Sequence, residues 1–528
     1  MICPKCGANM EDDSIFCTEC EELLLTIDDL DNTETADAPL PAEEAKQPRR
    51  NKPNPARHNY RMLKGILAAG LILLVTICAV IGFAITSNGY ITQENAYGTY
   101  VSDGKAVVIY NDKLIQTNVS ATGIRSDETS LDGSIYAFLT NQGTLCVVRG
   151  RRVIVVADKV SQYSLSAGGN GIVYRAGSES SELYLCNTKT RKSRLITDHF
   201  NGTSFAISPD GKSVVYNNYT DDQTPSLFYF ANKRSKKISD ADLKPAGLSD
   251  KGKHIYAYGR EASDTVLYHL NTKGKSTQLG LMNRKGIYYF NADHTQILFW
   301  NHEGASFVAT DGKQACQISH LQVDLLIPDN ASSCGRTYPV KNLYGHVYLG
   351  LDEQNHTSAW FIHRNAKRSC NLMPQVQNPT LDDSGEFLYF LHDNDLYCLK
   401  ISHRNNAAVK AKRLAFDVTD YVVTSNRSKV YYLCDDILYS ANGRNGMTRK
   451  SIATGGIHKE LAITGKDVVF YIQNSTAYAC SNGRSGQEVI HNAYSLESTN
   501  GFVYLMTTET EVYVSTGSKR ITKIFTLN

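Results

Sequence analysis

Four thiols crowd the first twenty residues: Cys3, Cys6, Cys17 and Cys20, spaced CxxC–x10–CxxC. Two thiolates two residues apart can point at one ion from a tight turn. Two such turns supply four soft ligands in a tetrahedron, the geometry Zn2+ takes in closed structural sites. Gly7 follows the first pair and eases its turn. About twenty residues bury too little core to fold alone, so the metal would supply the folding energy. With four thiolates and no open position, the expected Zn2+ is structural rather than catalytic. Two reduced thiol pairs are a competing reading. A redox CxxC is another, but it needs a βαβ context that this segment lacks.

Elsewhere, catalytic constellations are missing. The chain has no GxSxG elbow, HExxH, phosphate-binding loop or EF-hand loop. His254, His269, His302 and His363 stand singly and read as surface or internally satisfied residues. Trp300, His302 and acidic turns are candidates to line a central face. Cys186, Cys398, Cys434 and Cys480 recur after similar strand-like runs, as buried free thiols do. Cys316 and Cys334, in a less regular stretch, are the best candidates for a disulfide.

Charge blocks separate the elements that would carry these groups. Residues 1–48 hold thirteen Asp/Glu against two Lys; residues 49–64 hold six Lys/Arg and no acid. Residues 65–86, GILAAGLILLVTICAVIGFAIT, hold no charge over 22 positions. At about 1.5 Å per residue such a helix covers roughly 30 Å, the hydrocarbon thickness of a bilayer. The run starts too far into the chain for a cleavable signal peptide. Basic residues before the span place the N-terminus in the cytoplasm. The expected organisation is a zinc ribbon over 1–22, a disordered cytoplasmic linker over 23–61, a membrane helix over 62–87 and an extracytoplasmic domain over 88–528.

In that last domain one pattern returns: a polar turn, then an apolar and aromatic strand. Copies include SLDGSIYAF, GGNGIVY, SPDGKSVVY, SDKGKHIYAY, DDSGEFLYF and TGKDVVFY. Turn glycines at 133, 171, 211 and 252 lie 38, 40 and 41 residues apart. Between them lie hairpin-like runs such as SELYLCNTKTRKSRLIT and TVLYHLNTKGKSTQLG. A period near forty with about four short strands predicts an all-β fold built as a β-propeller. About ten or eleven units can be counted. A single ring of about eight blades, some units being half-blades, is slightly favoured over two propellers.

The segment MICPKCGANMEDDSIFCTEC resembles the N-terminal zinc ribbons of many bacterial membrane proteins, although Glu21 stands where such ribbons usually place Gly. SPDGKSVVY resembles the WD40-like repeats of TolB-type propellers. The single uncharged span and the missing catalytic motifs lead to the expectation of a single-pass membrane protein that is not an enzyme. Its propeller would recognise a protein, peptide or glycan. No nucleic acid is expected, since net charge is only +2, and no small-molecule cofactor is expected. An envelope-assembly scaffold, or a cell-wall hydrolase or lyase using propeller carboxylates, are the alternatives.

Overall fold

The computed structural model describes Ile91 and residues 95–526, except 112, 178–180, 221–222, 263, 284, 320–322, 328–332, 341–345, 352–355, 363–369, 402–410, 500 and 516. The proposed ribbon, linker and membrane helix, with Cys3, Cys6, Cys17 and Cys20, lie outside the described residues. No helix among the described residues is long and apolar enough to cross a membrane.

The described chain is built of strands, with one 3-10 turn at Asp250–Gly252. The strands form eleven antiparallel sheets, each a meander of consecutive segments. The first sheet, residues 97–120, has three strands. The other ten have four and span 124–157, 160–197, 205–239, 244–282, 288–319, 323–373, 377–415, 418–454, 457–491 and 493–526. The expectation of about eight blades is therefore corrected to eleven. The ten or eleven units counted in the sequence are separate sheets, one of three strands and ten of four, and none is a half-blade.

Burial falls from the second strand outwards. The second strands are buried on both faces, as in YAFLT (Tyr136–Thr140), QILFW (Gln296–Trp300) and VYYLC (Val430–Cys434). Outer strands such as Lys192–Thr197 and Arg234–Ser239 put a row of charged residues in water. Charge on an edge strand discourages pairing with a foreign chain.

Successive sheets share hydrophobic clusters around the whole circuit. Tyr136 and Phe138 join the first sheet to the second, Tyr256 and Phe290 the fifth to the sixth, and Phe470 and Leu505 the tenth to the eleventh. One cluster closes the ring: Ala96 and Ile109 of the first sheet pack on Phe502, Val512, Val514 and Ile524 of the last. No strand is shared between those two sheets, so side chains alone make the closure.

Inter-blade hydrogen bonds explain much of the tyrosine. Tyr97 accepts from the Gly150 amide at 3.0 Å and Tyr431 from the Gly483 amide at 2.7 Å. Tyr389 donates to the Gly443 carbonyl at 2.7 Å and Tyr256 to the Thr295 carbonyl at 3.0 Å. Each ring fills an apolar seam while its hydroxyl satisfies a backbone group of the next blade.

The insertion in the seventh blade runs into the ring interior. Thr337 forms a parallel bridge with Phe290, on the innermost strand of the sixth blade. The Phe290 amide donates to Arg336 and the Ala292 amide to Val340. On the other side the Cys334 thiol lies 3.5 Å from the Leu165 carbonyl, on the innermost strand of the third blade. Cys334 and Val340 are both buried. Residues 334–340 thus form a plug between blades far apart in sequence.

Candidate functional site

Blades other than the seventh connect their first two strands by a short turn, and one chemistry recurs at most of these turns. In SPDG the Ser208 hydroxyl accepts from the Ser213 amide at 3.0 Å and donates to Asp210 Oδ1 at 2.7 Å. Ser130, Ser166 and Ser249 accept from the amides of Ile135, Gly171 and His254 at 2.9–3.0 Å. Asn291, Asp382 and Thr424 do the same for Gln296, Phe387 and Lys429. A short polar side chain that bonds its own downstream backbone is a turn-former.

The fourth residue of each turn takes a left-handed conformation. It is Gly133 (φ 68°), Gly211 (φ 71°) and Gly252 (φ 64°) where the sequence placed it, but Gly169 (φ 68°) rather than Gly171 in the third blade. Non-glycine residues hold the same place later, at His294 (φ 55°), Arg427 (φ 58°) and Asp467 (φ 61°).

These turns converge on a cavity of about 570 Å3 lined by Asp132, Asp210, Asp250 and Asp293 of the second, fourth, fifth and sixth blades, while the third contributes Gly168 and Asn170. Asp132 and Asp293 are held by their own turns and Asp250 by the neighbouring one. Asp132 Oδ1 accepts from the Ser134 amide at 3.0 Å and Asp293 Oδ1 from the Thr295 hydroxyl at 2.7 Å. Asp250 Oδ1 accepts from the Asp210 amide at 2.8 Å, which links two blades across the mouth. Burial raises the Asp250 carboxyl above the ordinary value; the Asp210 amide opposes this, and the charges of Asp210 and Asp293 add to it. Lys212 pairs with Asp210 at 3.4 Å.

The equivalent turns of the last four blades leave far less room. The space among Asp382, Thr424, Asp467 and Ser498 is about 30 Å3, and Asp382 is neutralised by Arg427 at 3.1 Å. The open acidic mouth therefore belongs to the second to sixth blades.

Two further carboxylates bridge innermost strands. Glu128 Oε2 accepts from the Leu165 amide at 2.6 Å, and Asp420 Oδ2 from the Leu461 amide at 2.7 Å. Burial pushes Glu128 up to about 7, opposed by the Leu165 bond and aided by Asp127. Burial likewise raises Asp420 to about 6, against the bonds from Leu461 and Tyr421 and with help from Glu460.

Several expectations are corrected here. Trp300 is 2 % exposed, inside the core of the sixth to eighth blades, and His302 sits on an exposed hairpin turn. Neither reaches the mouth, because the acidic turn precedes the strand Gln296–Trp300, whereas Trp300 and His302 lie at the strand's opposite end. Cys316 and Cys334 are both free. The Cys334 thiol faces the third blade, while Cys316 sits on the outer strand of the sixth. Cys186, Cys398, Cys434 and Cys480 are buried free thiols, as expected.

His254 and His269 are not solitary. Their Nδ1 and Nε2 atoms lie 3.2 Å apart, and Asp311 Oδ1 is 3.5 Å from His254 Nε2. The buried His294 lies between the Leu248 carbonyl at 3.1 Å and the Thr337 hydroxyl of the plug at 2.5 Å. The signal for the first pair was a register: His269 is the cross-strand partner of Tyr256, two residues after His254. His363 is outside the described residues. Among the described residues no group of three or more His, Cys, Asp or Glu side chains is arranged to hold a metal ion.

No family model and no curated protein matches the chain. Solved structures similar to parts of it include a TolB from Agrobacterium tumefaciens, described as putative (16 % identity, 39 % of this chain, 85 % of that one, TM-score 0.29). A TolB from Acinetobacter baumannii is 14 % identical over 59 % of this chain and 77 % of that one, with a TM-score of 0.25. A eukaryotic initiation factor covers 68 % of this chain and 97 % of that one at 9 % identity, with a TM-score of 0.38. The likeness is one of repeated sheets, and it extends to no partner or activity.

Proposed function

We propose that this is a membrane-anchored, non-catalytic binding or scaffold protein whose extracytoplasmic propeller takes a cationic segment of a protein or peptide at its acidic mouth. One observation carries the reading: Asp132, Asp210, Asp250 and Asp293 surround a single open cavity, and each carboxylate is fixed by a hydrogen bond, three from their own turns and Asp250 from the Asp210 amide. Preorganised like charges around a concavity favour a partner of opposite charge, in rate as well as affinity. The span at 62–87 would anchor the chain, with the ribbon at 1–22 inside the cell and Cys3, Cys6, Cys17 and Cys20 holding one structural Zn2+.

The test is an array of basic, neutral and acidic peptides probed with full-length protein. Basic peptides should be captured preferentially, and replacing all four acids by Asn should weaken capture at least tenfold. Equal capture of acidic peptides would reject the reading. Protease added to intact cells should remove the propeller and spare residues 1–61.

A wall-glycan hydrolase is the second reading. Glu128 favours it, because burial on an innermost strand pushes its carboxyl up to about 7, and a raised carboxyl suits a general acid. Hydrolysis of wall glycan by the wild type, lost in Glu128→Gln, would establish it; inertness of the wild type would remove it.

A further inference from the structure

The fifth blade is polarised. Its acidic turn, with Asp250, lies at one end of the innermost strand Lys244–Leu248. At the other end Lys244, Arg260 and Lys285 line a second cavity, of about 450 Å3, together with Asp242, Tyr258 and Thr265. Sheet register explains the convergence. Lys244 is the cross-strand partner of Tyr258, and Arg260 that of Thr265. Tyr258 and Arg260 are two residues apart, so these four side chains stand on one face of the sheet. That face looks toward the sixth blade: the Tyr258 and Tyr288 rings are 6.1 Å apart. Lys285 and Gly286, on the connection leading into the sixth blade, close the cavity. Glu261 and Asp264, the acids of the same hairpin, are the adjacent register pair and point to the opposite face.

The ion pairs that lysine and arginine make with described residues are Lys212–Asp210, Lys237–Asp240, Arg413–Asp395, Arg427–Asp382 and Lys523–Glu511. None of them involves the three cations of this cavity. Three positive side chains against Asp242 alone leave a net charge of +2 on the lining. Arg336 adds to the field nearby. Its guanidinium lies 4.2 Å from the Tyr288 ring centre and donates to the Gly286 carbonyl at 2.6 Å. A guanidinium fork flanked by ammonium groups and two hydroxyls matches a tetrahedral oxyanion, which offers several acceptor atoms at once.

We propose that the seam between the fifth and sixth blades is an oxyanion-binding site for a phosphate or sulfate group, at the end of the fifth blade opposite its acidic turn. Such a group could be a free ion, part of a soluble phosphate ester or a lipid headgroup. The site is separate from the acidic mouth, so its success or failure is independent of the peptide reading.

The experiment is calorimetric titration of the full-length protein with inorganic phosphate, sulfate and glycerol phosphate, beside flotation with phosphatidylglycerol vesicles. Saturable binding in at least one arm is expected, and the tightest arm assigns the source. Arg260→Gln should weaken that binding about tenfold or more. Arg260→Lys should retain part of it, whereas Lys105→Gln, on the first blade, should leave it unchanged. Arg260 is exposed, so all variants should melt with the wild type. No binding in any arm, or equal weakening by Lys105→Gln, would overturn the proposal.

Discussion

Ser208 concentrates the chemistry of the repeat in one hydroxyl. It is fully buried, accepts from the Ser213 amide and donates to Asp210. Ser208→Ala should cost about 1–3 kcal/mol, read from the urea midpoint, because a buried amide loses its partner. Glu128 tests the opposite kind of burial. Its folded value near 7 lies above the unfolded value near 4.5, so the proton favours the fold. That stability is complete below pH 4.5 and is lost as pH rises through 7. Glu128→Gln should therefore gain about 1–3 kcal/mol over the wild type at pH 8 and almost nothing at pH 4.

The histidines run the other way. Burial lowers both His269 and His294 to about 4, with the His254 charge also lowering His269. The unfolded chain binds protons first, so stability is complete above about pH 6.5 and falls as pH drops toward 4. Acid should loosen the fifth and sixth blades before the rest, and hydrogen exchange at pH 5 should show faster amides there. Uniform exchange across all blades would contradict this.

At the scale of elements, the turns were legible because their bonds span five residues. Ser, Asp and Gly at fixed offsets announce the bond from Ser208 to Ser213 without any tertiary information. The third blade shows the limit: three glycines in AGGNG offered more than one register, and only the bond from the Gly171 amide to Ser166 fixes it. The plug was illegible for a physical reason. Cys334 meets Leu165 across 169 residues and Thr337 meets His294 across 43, so neither contact leaves a local pattern. Tyr431 offers an element-level test. Tyr431→Phe strips the Gly483 amide of its acceptor between the ninth and tenth blades. A loss of about 1–3 kcal/mol is expected in chemical denaturation.

For the whole molecule, the acidic mouth was only partly foreseen. Acidic turns were visible, yet which of them face an open cavity depends on the ring. Arg427 closes off Asp382, and no short window of sequence pairs them. Ring closure can be tested at Val514, which is fully buried between the last and first blades. Val514→Asp should expose the first and last blades to limited proteolysis at a temperature where the wild type resists it, because an unpaired charge there has no water.

Since the joint between the first and last sheets uses packing alone, and each sheet comes from one unbroken stretch, the two ends of the propeller lie on neighbouring blades. A linker tying residue 526 to residue 97, with a new start cut at the exposed Asp198–His199 between the third and fourth blades, would leave each sheet intact. Such a circular permutant should fold to the same eleven blades. By the same logic, whole blades are natural units of gain and loss for this architecture.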